Sequence, residues 1–207
     1  LYGVGARNES YEHTGIAHLL EHLMFEGTKA VPSFDEPLEY AGGENNAYTT
    51  NDVTNYYIAL PKQNAELAFW MESDRLCNVK FGNKKVDIQR QVVMEEFKQT
   101  KLNRPYGDAS LILRSMAYKV HPYRWSTIGR ELKHIADVPV SVISGFYKRY
   151  YVPDNAVLAV VGDISFEQVV EWSEKWFGEI PSKGFKRDVL PAEPRQTRQR
   201  RRTVYRD

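Results

Sequence analysis

The sequence predicts a mixed α/β fold, α+β in character, with helices packed on a mixed, largely antiparallel sheet. Three observations predict it. Strand-like segments rich in Val, Thr, Tyr and Ile occur near 1–7, 47–60 and 156–162. Between them lie stretches whose apolar residues recur at three- and four-residue spacing, the mark of helices. The order is strand, helices, strand, helices, strand, helix, which suits one mixed domain with helices on a sheet.

Each element has its own signals. Leu1 to Arg7 reads as the end of a strand, so the natural N-terminus is expected upstream. Thr14 is a candidate N-cap for a helix carrying Ile16, Ala17, Leu19, Leu20, Leu23, Met24 and Phe25, with Gly27 as its stop. Pro32 and Ser33 open a short helix toward Tyr40. Gly42-Gly43 breaks the chain, and Ala47 to Leu60 reads as strand. Pro61 starts a helix with Ala65, Ala68, Phe69 and Leu76 at helical spacing. Lys84 to Lys101 carries Val86, Ile88, Val92, Val93 and Phe97 in the same way. Further helices are expected at Gly107 to Tyr118, Ser141 to Tyr150 and Phe166 to Phe177. The run AVLAVVG, Ala156 to Gly162, reads as a buried strand. From Pro191 the pattern collapses into PAEPRQTRQRRR. Residues 1–190 are therefore read as one domain and 191–207 as a basic linker.

Composition narrows the function classes. Of 207 residues, 42% are apolar and 27% charged, an ordinary globular profile. The net charge of +1 does not suit general attraction to nucleic acid or to a membrane surface. The arginines at 195, 198, 200, 201 and 202 form a basic cluster, but Tyr205 is its one aromatic, and a solvated linker is the reading adopted. No apolar run approaches the ~20 residues of a membrane span. Cys77 is the single cysteine, so no intrachain disulfide forms.

The chemistry concentrates in HLLEH, residues 18 to 22, inside the first helix. Residues four apart on a helix lie about 40° apart. His18 and His22 therefore project side by side and can share one metal ion. Glu21 falls about 60° to the other side of His18. It sits near the metal without being a ligand, where a general base belongs. Zinc suits this donor set: it brings the pKa of a bound water to about 7 and polarises a carbonyl oxygen, the needs of amide hydrolysis. A catalytic zinc usually takes three protein ligands. Glu95 and Glu96, in VDIQRQVVMEEFKQ, are the candidates for the third. Glu96 shares a face with Gln89 and Val93, and Glu95 with Ile88 and Val92, so periodicity does not choose between them.

VGARNE, HTGIAHLLEHLMFEGT, AGGENNAYTTNDVTNYY, QRQVVMEEFKQ, HPYRWSTIG and YYVPDNAVLAVVGD follow one another along nearly the whole chain. In these motifs and their order the chain resembles the pitrilysin/insulinase-type metallopeptidases, the inverzincins with H-x-x-E-H. It is most like the branch of mitochondrial processing peptidase and its bacterial relatives.

The resemblance implies the N-terminal metallopeptidase domain of that type, with one Zn2+ per domain. It implies His18 and His22 as zinc ligands and Glu21 as the base that activates water. Matching Arg90, Val92 and Val93 implies Glu96 as the third ligand, with Glu95 as the alternative. Gln89 stands where the family has an acidic residue behind the ligands; a neutral amide there changes the charge but still hydrogen-bonds. The segment 45–49 resembles the family's substrate strand, and Asn46 and Ala47 are the expected peptide contacts. The implied activity is a zinc-dependent endopeptidase acting on peptides or unfolded segments. The alternative is a non-catalytic zinc-binding partner subunit. A second homologous domain is expected in the full-length chain, and the type can dimerise. A bacterial setting, cytoplasmic or periplasmic, is expected.

Overall fold

The computed structural model describes residues 1–205. Arg206 and Asp207, the end of the expected linker, lie outside the described residues. The fold is mainly helical around a small antiparallel sheet. Helix α1 (Ile16–Leu23) and the short α2 (Asp35–Tyr40) precede a hairpin of β1 (Glu44–Thr49) and β2 (Thr54–Ala59). Then come α3 (Glu66–Asn78), α4 (Asn83–Phe97) and α5 (Ala109–Ala117). Three more follow: α6 (Leu132–Ala136), α7 (Val140–Tyr150) and α8 (Phe166–Phe177). No helix among the described residues is long and apolar enough to cross a membrane.

The helices fall close to where the apolar spacing put them, and α8 matches its expected bounds. Three expectations about strands change. The segment 47–60 is a hairpin rather than one strand. The register runs from Glu44 opposite Ala59 to Thr49 opposite Thr54. Its turn closes on Thr50, whose Oγ1 accepts the N–H groups of Asp52 and Val53, a local bond that ends the extended run.

Leu1 to Arg7 makes strand-like bridges only at its start, while the Ala6 and Arg7 N–H groups donate to the carbonyls of Thr50 and Asn51. Tyr2 bridges both Thr54 and Ala156, and the chain then tightens into a 3-10 turn at Ala6–Asn8. At Gly5 the backbone passes so close to the hairpin turn that an added Cβ would sit 2.4 Å from the Thr50 carbonyl oxygen. The run 156–162 is not a buried strand. Ala156 and Val157 meet Tyr2 and Leu1, and beyond them the residues are largely exposed, Val161 almost wholly. A strand buried on both faces needs layers above and below. Nothing among the described residues covers this run. α6 had no clear sequence signal: five residues are too few for periodicity to show.

One core joins most elements. α1 gives it Ile16, Ala17, Leu19, Leu20 and Leu23, so this helix is buried almost all round. α4 packs across it through Val86, Val93 and Phe97, and α7 adds Ile143, Phe146, Tyr147 and Tyr150. Tyr147 donates its hydroxyl to the carbonyls of Arg75 and Leu76, which occupies acceptors near the C-terminal end of α3. A smaller cluster of Val31, Phe34, Leu38 and Met71 sits under α2. The buried Arg75 borders it, its guanidinium 3.7 Å from the Phe34 ring centre and 4.6 Å from that of Tyr56.

The described residues beyond Pro191 contain no helix or strand, yet side chains tie them down. Glu193 accepts the backbone N–H groups of Lys119, Val120 and His121 at 2.7 to 2.9 Å. Arg200 donates to the carbonyls of Met116 and Ala117 at the C-terminal end of α5, where the helix dipole favours a cation. The His121 N–H and its two neighbours hold the Glu193 carboxyl down at about 2, against burial. A lowered folded value means that the tie acts above the ordinary value of 4.5 and is lost as pH falls toward 2. The tail should therefore stay protected from amide exchange and proteolysis at pH 7 and be released near pH 2. In Glu193→Ala the protection should already be gone at pH 7, as hydrogen exchange of residues 191–200 would show.

Candidate metal centre

The site begins with how α1 starts. Thr14 is not its N-cap. Gly15 occupies that position with φ 91°, a left-handed conformation that costs glycine little. A side chain there would also crowd Ile128 and Gly129, whose backbone passes at about 3 Å. The capping is done from a distance by Glu9. Its buried carboxylate accepts Gly15 N–H and Ala17 N–H, both at 2.9 Å. That satisfies two donors at the start of the helix, and burial pushes the Glu9 carboxyl up to about 8 against the downward pull of those same N–H groups. Thr14 instead ties this loop to Arg130 and to α6: its Oγ1 accepts Arg130 N–H and bonds His134 Nδ1.

With its start fixed, α1 turns one polar stripe toward an open cleft of about 340 Å³ between α1, β1, the end of α4 and the 126–128 loop. His18, Glu21 and His22 lie on this stripe, and the two imidazole rings stand at right angles, 4.8 Å apart. α4 brings Glu96 to them. Its Oε2 lies 3.6 Å from His18 Nε2 and 3.6 Å from His22 Nε2. One ligand atom from each of the three residues lies within 4.8 Å of the others. Donor atoms around a tetrahedral ion with bonds of about 2.1 Å lie about 3.4 Å apart. Two imidazole nitrogens and a carboxylate oxygen at these separations fit zinc.

The choice between the two glutamates is geometric. Val93 is wholly buried, whereas Ile88 and Val92 are each 46% exposed, so α4 faces α1 with the Gln89–Val93–Glu96 stripe. Glu95 points to solvent and pairs with Lys98 at 2.5 Å.

The electrostatics follow from burial and from Glu96. Burial pulls His18 down to about 4, against the upward pull of the Glu96 charge, so its ring is neutral near pH 7 with a lone pair to offer. For His22 burial also acts downward, but the hydrogen bond and charge of Glu96 outweigh it and raise the value. Glu96 itself is lowered, first by its bond to His22. Burial raises Glu21, opposed by Thr49 and His22.

Some site residues were not singled out from the sequence. Thr49 Oγ1 donates to Glu21 Oε2 at 2.5 Å and so fixes the carboxylate. Alternation along β1 could have found it, because Ala47 and Thr49 share the face toward α1. Asn46 points the other way, and its Oδ1 accepts the Ala47 N–H at 2.8 Å. Lys101, Ser126 and Thr127 also line the cleft. They come from parts of the chain that only the fold brings near α1. Gln89 Nε2 donates to Glu26 Oε1 at 2.5 Å.

A helix that carries H-x-x-E-H beside a carboxylate from a second helix marks the inverzincin class of metallopeptidases. The chain belongs to the insulinase family of peptidases, M16: the family's peptidase domain matches residues 2–130, and its "inactive domain" matches residues 137–207. A zinc protease of Helicobacter pylori, PqqE, is 34% identical over this whole chain, which covers 47% of that protein. A probable mitochondrial-processing peptidase subunit beta of Arabidopsis thaliana is 28% identical over 86% of the chain and 34% of its own length. The crystal structure of a protease from Helicobacter pylori superimposes with a TM-score of 0.85 at 33% identity, over 93% of this chain and 48% of that one. The chain thus spans about a third to a half of the relatives it matches.

Glu9→Ala should leave two first-turn N–H groups without their partner and cost roughly 2–6 kcal/mol, at about 1–3 kcal/mol for each buried donor. Glu9→Gln should cost less, because its carbonyl oxygen still accepts one of them. Urea unfolding measures both.

Proposed function

We propose that this chain is the zinc-binding catalytic domain of an endopeptidase that hydrolyses peptides or unfolded polypeptide segments. The observation that carries it is the convergence of His18, His22 and Glu96 within ligand distance, with Glu21 beside them on the same helix. His18 and His22 would hold the ion through Nε2 and Glu96 through Oε2. Zinc held there supplies Lewis acidity toward a carbonyl oxygen and acidifies water.

The rest is done by the chain's own residues. Glu21 accepts the proton of the attacking water and later delivers it to the leaving amine. Thr49 keeps one Glu21 oxygen engaged, so the other faces the cleft. A peptide adds as an extended segment along β1, with Ala47 and Asn46 at the contact. The Asn46 side chain, bonded to the Ala47 N–H, yields that donor to the peptide. The buried, tethered Glu21 favours a catalytic chain over a non-catalytic partner subunit. The substrate grip is completed by a second homologous domain in the full-length protein, reached through the segment beyond Pro191.

In the full-length protein, Glu21→Gln should keep one zinc per site and lower hydrolysis of an unstructured fluorogenic peptide by about 10²–10⁴-fold. His18→Ala should lose both the metal and the activity. An undiminished rate in Glu21→Gln would sink the mechanism, and a parent protein that binds no zinc would sink the whole reading. Thr49→Val should retain zinc while turnover falls about tenfold or more, the worth of one charge-assisted hydrogen bond. Steady-state kinetics with metal analysis separates the two effects.

A further inference from the structure

The cleft beside the histidines carries a charge that the chemistry above does not use. α4 ends at Phe97, and the next turn, Lys98–Leu102, is wider than an α-helix. The Asn103 N–H closes it on the Lys98 carbonyl, five residues back, at 2.8 Å. In an unbroken α-helix Lys101 would lie about 140° round from Glu96. Bonding to the fifth residue lowers the rotation per residue and brings position 101 back toward the Glu96 face. Thr100 and Lys101 therefore both line the cleft. Wide turns of this kind are rare and recur at functional sites.

Lys101 is the one Lys or Arg among the described residues lining this cleft. Its neighbour Lys98 is taken up by Glu95, whereas the part-buried Lys101 ammonium has no hydrogen bond or ion pair among the described residues. Glu21 and Glu96 line the same cleft but are engaged elsewhere. Glu21 accepts from Thr49, and Glu96 faces the two imidazoles. Ser126 and Thr127, from the 126–128 loop, add hydroxyls that also have no hydrogen bond among the described residues. An unpaired ammonium with hydroxyl donors on the same cleft is complementary to a carboxylate.

We propose that Lys101 is a specificity-determining residue that receives a carboxylate of the bound peptide next to the scissile bond, with the Ser126 and Thr127 hydroxyls as further donors. A peptide extended along β1 sends alternate side chains to opposite faces, so only some flanking positions reach Lys101. The carboxylate has two sources: an Asp or Glu side chain, or the C-terminus of a short peptide. The proposal rests on the peptidase reading above for the cut, but the carboxylate subsite itself is read by binding.

The test uses the full-length protein and internally quenched peptides that differ only in carrying Glu, Gln or Lys at one position flanking the cut. The parent should favour Glu over Gln in kcat/KM by about 5- to 20-fold at one position, the worth of a partly shielded charge-assisted hydrogen bond, and should disfavour Lys there. Lys101→Arg should keep the order. Lys101→Met should bring the Glu-to-Gln ratio to within about twofold of unity, and Lys101→Glu should reverse the order so that Lys is favoured. A merely structural role for Lys101 would lower all three peptides together and reverse nothing. Peptides ending just beyond the cut, as free acid or as amide, separate the two sources: a preference for the free acid alone assigns the subsite to a peptide C-terminus.

Dissociation constants of the same peptides, from fluorescence anisotropy, should follow the same order and the same reversal. Glu-to-Gln and acid-to-amide ratios both within about twofold of unity in the parent would overturn the proposal, as would a preference that survives Lys101→Met and Lys101→Glu. A parent that binds no zinc and cleaves none of the peptides would strike the functional reading instead, and the binding ratios would still decide the subsite.

Discussion

Helix α1 is buried on nearly every side, and this constraint shapes the site. A helix so placed can carry polar chemistry only along one stripe, and only if its neighbours satisfy that stripe. α1 meets the condition with three partners. Glu9 answers its first N–H groups, Thr49 answers Glu21, and Glu96 meets both histidines. None of the three lies on α1. The site is thus a property of the contacts of one helix with a loop, a strand and a second helix.

The α1–α4 contact carries the largest share. Val86, Val93 and Phe97 of α4 are buried in the common core, and that packing sets the rotation of α4 about its own axis. The rotation brings Glu96 to the imidazoles and turns Glu95 outward. Bonds from Lys85 and Gln89 to Glu26 pin the far end of the same contact. Apolar burial places the donors, and short polar bonds hold their orientation. The metal chemistry asks for both, since ligand distance and lone-pair direction are separate requirements.

Charge balance at the site follows from the same geometry. One carboxylate set against two half-buried imidazoles leaves His18 neutral and makes His22 the ring that shares charge with Glu96. Glu21 stands slightly apart, raised by its own burial and restrained by Thr49. On the proposed function, Glu21 so placed is the group that takes the proton of the attacking water.

Local sequence determined what depends on near neighbours. The spacing of His18, Glu21 and His22 follows from helical periodicity, and the apolar repeats located most of the long helices because a buried face must recur with the turn. The motif order also carried the family. Only the tertiary structure decided the rest. Ile88 and Val92 look as apolar as Val93, so nothing in the pattern of α4 says which stripe meets α1; that depends on a second element. AVLAVVG reads as buried, yet it is exposed here because burial needs covering layers, and a local run does not encode them. Glu9 and Thr49 are ordinary polar residues in the sequence. They acquire roles because the fold delivers them to the donors, acceptors and rings of one buried helix.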